Sequence, residues 1–269
     1  MFTRMNNRLR KVCLLLSFVT IPLLTGAENG PDKVDGAAAT QQKDTTKRVL
    51  FIGDSITDGN WGGGNGPSSK RNHWDQNHLF GSGYMYLCAA HFMGSFPERH
   101  YQFYNRGISG NTLGALEQRW KEDVLDIKPD VLSILIGTND IAFYLRNTEK
   151  PFDFEGWKKQ YCSLLDQSLA QNPNLKIVLC APFVAKVGEK ISDQQAGLVG
   201  QCTAVVEKIA KEYKVTYLPY NTLFDTIIQK HNDIPASYWI WDGIHPTAAG
   251  HKLMADMWID KMNRIMKKL

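Results

Sequence analysis

The 269-residue chain has no apolar run long enough to cross a bilayer as a helix. The longest, Val12 to Leu24, covers 13 residues, whereas the ~30 Å hydrocarbon core calls for about 20. Cysteine is scarce, with five residues and no CxxC spacing, so neither a zinc site nor a dense disulfide framework is indicated. Cys88, Cys162, Cys180 and Cys202 each lie in a segment with an apolar face and read as small buried hydrophobes. The glycine-rich stretch Gly62 to Gly66 lacks both the P-loop lysine and GxGxxG spacing, so no nucleotide cofactor is expected. His73, His78, His91, His100, His231 and His251 show no metal-ligand spacing, and no metal is expected either. Internal repeats are lacking. Low-complexity and wholly disordered classes are excluded because hydrophobic residues make up 43% and charged residues 22%, close to the averages of a globular protein.

A surplus of one charge sign is also missing once the N-terminus is considered. Arg4, Arg8, Arg10 and Lys11 precede the apolar run, and the small residues Thr25, Gly26 and Ala27 follow it, the layout of a secretory signal peptide over residues 1–27, the alternative being a short N-terminal anchor. The whole chain carries +4, with 31 basic and 27 acidic residues. Removal of the leader deletes four basic and no acidic side chains, leaving 27 of each sign, so nothing global points to nucleic acid. The expectation is an exported protein, periplasmic or extracellular, without stable membrane insertion. Residues 28–46, polar and poor in large apolar side chains, read as a disordered leader, and a single domain is expected over 47–269. Its oligomeric state is not legible.

From Arg48 onward, short apolar runs alternate with longer amphipathic segments, as βαβ units of a parallel sheet require. Five runs read as strands: Arg48 to Gly53, Tyr101 to Asn105, Val131 to Gly137, Lys176 to Ala181 and Val215 to Pro219. Helices are expected near Tyr84 to Gly94, Leu113 to Asp126, Phe154 to Gln171, Gln194 to Tyr213 and Ala248 to Lys268. Right-handed crossovers then cover both faces of the sheet, giving a three-layer α/β/α sandwich.

In such sheets ligand sites form outside the carboxyl ends of the strands, and the residues there are chemically unusual. A serine hydroxyl needs a base, itself oriented by a third group, to act as a nucleophile. Ser55, in Gly53-Asp54-Ser55-Ile56-Thr57, follows the first strand, although Ser before a helix is also a common N-cap. Asp242 precedes His245 by three residues on a loop, so its carboxylate can orient Nδ1–H and leave Nε2 for the serine; the pair could instead cap the last helix. Asn139, in Gly137-Thr138-Asn139-Asp140, can donate to a developing oxyanion, or close an Asx-turn. Gly110 can offer a backbone N–H that substrate approaches closely, or serve a plain turn.

Taken together, Gly53-Asp-Ser-Ile-Thr57, Gly107-Ile-Ser-Gly-Asn111, Gly137-Thr-Asn-Asp140 and Asp242-Gly-Ile-His-Pro246 resemble the four conserved blocks of the SGNH, or GDSL-like, hydrolases in order and spacing. The resemblance runs from about Arg48 to the C-terminus. It implies a flavodoxin-like sheet of five parallel strands and no cofactor. It also implies Ser55 as nucleophile, Asp242 and His245 completing the triad, and an oxyanion hole from Ser55, Gly110 and Asn139. The family often has Leu where Ile56 stands, a volume-conserving change. No GxSxG elbow is present, which weighs against the ordinary α/β-hydrolase fold.

The catalytic set specifies a reaction and leaves the ester open. Trp61, Trp74, Trp239 and Trp241 lie in expected loops near Ser55 or His245, where aromatic faces could stack on sugar rings or pack in the core. Asp54, Trp61, Trp74 and Trp241 are the candidate substrate contacts. The polar segment Gly59 to His78 suits a hydroxyl-rich ligand. The expectation is an esterase that deacetylates a carbohydrate, its partner being a glycan or small-molecule ester. The alternatives are a lysophospholipase or general short-acyl esterase, and a non-catalytic glycan-binding protein.

Overall fold

β1 (Lys47–Gly53) carries Val49, Leu50, Phe51 and Ile52 in succession, all buried. An unbroken apolar strand of this kind must be covered on both faces, so it belongs in the interior of a parallel sheet. The computed structural model describes residues 45–59, 80–147 and 150–269. β1 is followed by the one-turn helix α1 (Ser55–Asp58), α2 (Tyr84–Ser95), β2 (Tyr101–Gly107) and α3 (Leu113–Trp120), which runs on into a π turn over Lys121–Leu125. Then come β3 (Val131–Leu135), α4 (Thr138–Asn147), α5 (Phe154–Gln171), β4 (Lys176–Cys180), α6 (Asp193–Tyr213), β5 (Thr216–Leu218), α7 (Tyr220–Lys230) and α8 (Ala248–Met266).

The five strands form one sheet in the order β2-β1-β3-β4-β5, and every neighbouring pair is parallel. Val49 and Phe51 look to one face with Val131, Leu135, Val178 and Cys180, where α2, α7 and α8 supply Tyr84, Phe92, Phe224, Met254 and Trp258. Leu50 and Ile52 look to the other with Leu132, Ile134, Ile177 and Leu179, under α3, α5 and α6. The period-2 alternation of side chains thus builds two cores from one sheet, and the expected three-layer α/β/α architecture is the one observed.

Several details differ from the sequence reading. β2 continues two residues further, to Gly107, whereas β3 stops at Leu135. Two full helices and the one-turn α1 were not expected. α4 starts at Thr138, three residues after β3 ends, so a segment read as loop is helical. α7 follows β5 with only Pro219 between them. Cys88, Cys180 and Cys202 are buried free thiols, while Cys162 is only partly covered.

The strand order reverses at β1 and β3. From β1 the chain crosses to β2 on one side, and from β2 it returns to β3 on the other, which opens a crevice at the carboxyl ends of β1 and β3. Ser55 lies just past the first of these ends and Asn139 just past the second.

Candidate active site

Asp54 takes extended backbone angles and caps α1, its Oδ1 accepting from Ile56 N–H at 2.9 Å. This cap turns the chain sharply after β1, so that Ser55 is the first helical residue and its N–H has no intrahelical acceptor. Asp54 is only 2% exposed. Its carboxyl, expected as a substrate contact, is engaged in the turn that presents the serine. Burial pushes its pKa up to about 7, with the nearby Asp140 carboxylate adding to the rise.

His245 stands on the loop between Ile240 and the N-terminus of α8, which an antiparallel bridge from Ile240 to Pro246 closes. Trp241 N–H donates to His245 C=O at 3.0 Å inside that loop. Asp242 Oδ1 accepts from the N–H groups of Ile244 and His245 at 2.9 and 2.8 Å, leaving Oδ2 for His245 Nδ1 at 2.6 Å. With the Nδ1 proton held there, the Nε2 lone pair faces Ser55 Oγ, 3.0 Å away. Burial alone would raise the Asp242 pKa, but hydrogen bonds from His245 and Ile244 and the imidazole beside it carry it below the usual carboxylate value. For His245 the balance is reversed: burial lowers its pKa below 6.5, against the upward pull of Asp242. A neutral imidazole with an anion behind it is the state a general base requires.

The loop that follows β2 approaches the same crevice. Ile108 N–H donates to Gly53 C=O at 3.1 Å, and Ser109 Oγ donates to Asp58 Oδ2 at 3.0 Å, which ties the loop to the serine turn. Gly110 is exposed with φ of +82°, a left-handed conformation that favours glycine, and no atom of the described residues lies within 4 Å of the place a Cβ would occupy. Asn139, the second residue of α4, donates one Nδ2 hydrogen to Asn111 C=O at 3.2 Å, and among the described residues the other has no acceptor. Ser55, Gly110, Asn139, Asp242 and His245, far apart in sequence, therefore stand on four segments at one end of the sheet.

Trp241 is 51% exposed, its ring stacked on that of His245 at a centroid distance of 6.1 Å. Lys190 Nζ sits 5.6 Å from the same ring. Trp61 and Trp74, with most of the Gly59 to His78 segment, lie outside the described residues. Trp239 is partly buried against His231 and Tyr238. Among the described residues no three His, Cys, Asp or Glu side chains are grouped to hold a metal ion.

Supporting residues escaped the sequence reading. Asn105, fully buried in β2, reaches with Nδ2 to the carbonyls of Thr57, Asp58 and Phe80 within 3.2 Å and accepts from Gly107 N–H, bracing the back of α1. Asp140 Oδ1 accepts from Leu113 N–H at 3.0 Å and from Trp157 Nε1 at 2.9 Å, fixing the far end of the Gly110 loop. The signal was a polar side chain at a strand position that should have been apolar, and a second acid beside Asn139.

Residues 51–253 match the model of the GDSL-like Lipase/Acylhydrolase family. An acetylxylan esterase of Geobacillus stearothermophilus is 33% identical over 213 residues, covering 78% of this chain and 90% of the relative. Among solved structures, a GDSL-like lipase from Parabacteroides merdae superposes with a TM-score of 0.69 at 33% identity, over 81% of this chain and 95% of that one. An acetyl xylan esterase from Geobacillus stearothermophilus gives 0.67 at 30%, over 80% and 94%. Structures of that esterase include catalytic mutants in which an Asp, a Ser and a His are each replaced by Ala.

Proposed function

The chain belongs to the GDSL-like lipase/acylhydrolase family and is a carboxylic ester hydrolase, and from that premise we propose that it removes acetyl groups from carbohydrate through Ser55, His245 and Asp242. The observation that carries the mechanism is the continuous line from Asp242 Oδ2 through the His245 ring to Ser55 Oγ, at 2.6 and 3.0 Å. The choice of an acetylated glycan is supported by the likeness to an acetylxylan esterase over 90% of that relative's length.

In the first half-reaction Ser55 Oγ attacks the acetyl carbonyl carbon while His245 Nε2 takes its proton. Negative charge that develops on the carbonyl oxygen is received by the N–H groups of Ser55 and Gly110 and by the second Nδ2 hydrogen of Asn139, which need little rearrangement because each is already held. The tetrahedral species then collapses, and the sugar hydroxyl leaves with the proton from Nε2. A water molecule, activated by the same nitrogen, cleaves the acetyl-serine and releases acetate. Trp241, exposed at the edge of the histidine, offers an aromatic surface against which a sugar ring can pack. The chain is exported on this reading, with residues 1–27 removed, and sequencing the N-terminus of the secreted protein is expected to begin near residue 28.

The test is hydrolysis of p-nitrophenyl esters from acetate to long acyl chains, together with acetate release from acetylated xylan, pectin and chitin oligomers. Wild type is expected to prefer acetate, and Ser55→Ala and His245→Ala are each expected to lose roughly 10³-fold or more in kcat. Activity that rises with acyl length would replace this reading by a lysophospholipase. Glycan binding without hydrolysis of any ester would make it a binding protein.

A further inference from the structure

Gly110 is the one proposed oxyanion donor on an exposed loop, with a left-handed backbone and open space on its Cα. A donor must point within a few tenths of an ångström to be useful, so something must hold that loop to the serine turn. Arg119, on α3, does so from beneath. Its Nε donates to Asn111 Oδ1 at 2.9 Å, and its Nη2 donates to Gly53 C=O at 3.3 Å. Its Nη1 is anchored on Asp123 Oδ2 at 2.5 Å, four residues on in the π turn that continues α3. Asp123 is held in turn from β2, its Oδ1 3.2 Å from Arg106 Nε. All three side chains are largely buried.

We infer that Arg119 is a positioning residue for this reaction, one rigid guanidinium that spans the last carbonyl of β1, just before Asp54 and Ser55, and the side chain of Asn111, next to Gly110. The planar fork matters because three donors in fixed directions set the distance between two separate loops. The same contact reaches Asn139, whose Nδ2 rests on the main-chain carbonyl of Asn111. Arg119 thereby sets two of the three oxyanion donors against the third without touching substrate. Lysine could still pair with Asp123 but cannot satisfy Asn111 and Gly53 at once.

This inference rests on the esterase reading, and the experiment separates the two. Wild type, Arg119→Lys, Asn111→Ala and the double variant are compared on p-nitrophenyl acetate and on its thiono analogue, in which the carbonyl oxygen is sulfur and the oxyanion donors count for less. Each single variant is expected to lose roughly tenfold or more in kcat with KM changed less than about threefold, because the donors act on the transition state. The double variant should be no worse than about twofold below the weaker single, since both remove one contact. The preference for the oxygen ester over the thiono ester should fall in all three. A purely structural arginine would leave that preference unchanged, and such a result overturns the proposal, as would multiplicative losses in the double variant. If Arg119→Lys does not fold, Asn111→Ala carries the test alone, and wild-type kcat in that variant overturns the proposal. Wild type without Ser55-dependent activity would overturn the esterase reading and this inference with it.

Discussion

At His245 burial and the Asp242 carboxylate act in opposite senses, and burial prevails, leaving the imidazole pKa below 6.5. On the proposed mechanism only the neutral ring accepts the Ser55 proton, so kcat/KM for p-nitrophenyl acetate is expected to rise with pH along a limb centred below 6.5 and to stay level above it. Asp242→Asn keeps the volume but loses the anion that holds Nδ1–H, and kcat is expected to fall roughly 10³- to 10⁴-fold. Two other buried groups write opposite signatures into stability. Asp54, raised by burial from 3.8 to about 7, contributes stability that is complete below about pH 4 and is lost as pH rises to about 7, on the order of 4 kcal/mol. His251 accepts from Tyr84 N–H through Nδ1 at 3.1 Å, and burial, with His245 nearby, lowers it from 6.5 to about 4. Its contribution is complete above about pH 6.5 and is lost as pH falls to about 4, on the order of 3 kcal/mol. The two trends offset each other between those limits. Relative to wild type, Asp54→Asn is therefore expected to gain stability as pH rises from 4 to 7, and His251→Gln to lose it from 4 to 6.5. Urea titrations across that range check this, and parallel curves for all three proteins would contradict it.

The elements that present these groups depend on a few backbone positions. Gly243 lies between Asp242 and His245 with φ of +89°, and a Cβ there would stand 2.5 Å from Ile191 Cγ1 and 2.7 Å from Ala185 C=O. Its carbonyl accepts from Ala185 N–H at 2.8 Å, so the histidine loop is docked on the chain that leaves β4. Gly243→Ala is expected to cost roughly 2–4 kcal/mol from strain and crowding. Because the loop must move to relieve it, kcat should fall as well; unfolding and turnover measured on one preparation check both. Legibility varied among elements for physical reasons. Strands β1, β3 and β4 are mostly apolar and buried, and α5, α6 and α8 are long enough to show a period. In α7 the apolar spacing was present at Tyr220, Leu223, Phe224, Ile227 and Ile228, but adjacency to β5 hid it. In α4 only Thr138 and Ile141 are buried, so a short amphipathic turn directly after a strand looked like loop.

Across the whole molecule, α8 ties the histidine loop to the sheet. Trp258 is fully buried, packs against Phe51 with ring centroids 4.9 Å apart and donates Nε1 to Ser133 Oγ at 3.1 Å, so a helix that begins just after His245 is pinned to β1 and β3. Trp258→Ala is expected to destabilise by roughly 3–5 kcal/mol, while kcat of the folded protein stays within a few-fold of wild type, as thermal unfolding and turnover at low temperature would show. A large loss of kcat at full folding would mean that α8 sets the position of His245 more directly. The layered fold was legible, as were the segments that bring Ser55 to His245 and Asp242, because strand hydrophobicity and local spacing are properties of short segments. The turn-cap duty of Asp54 and the bracing by Asn105, Arg119 and Asp140 were not. Each depends on which loops the parallel crossovers bring together, and a polar side chain reveals its partner only when burial leaves it one acceptor to reach.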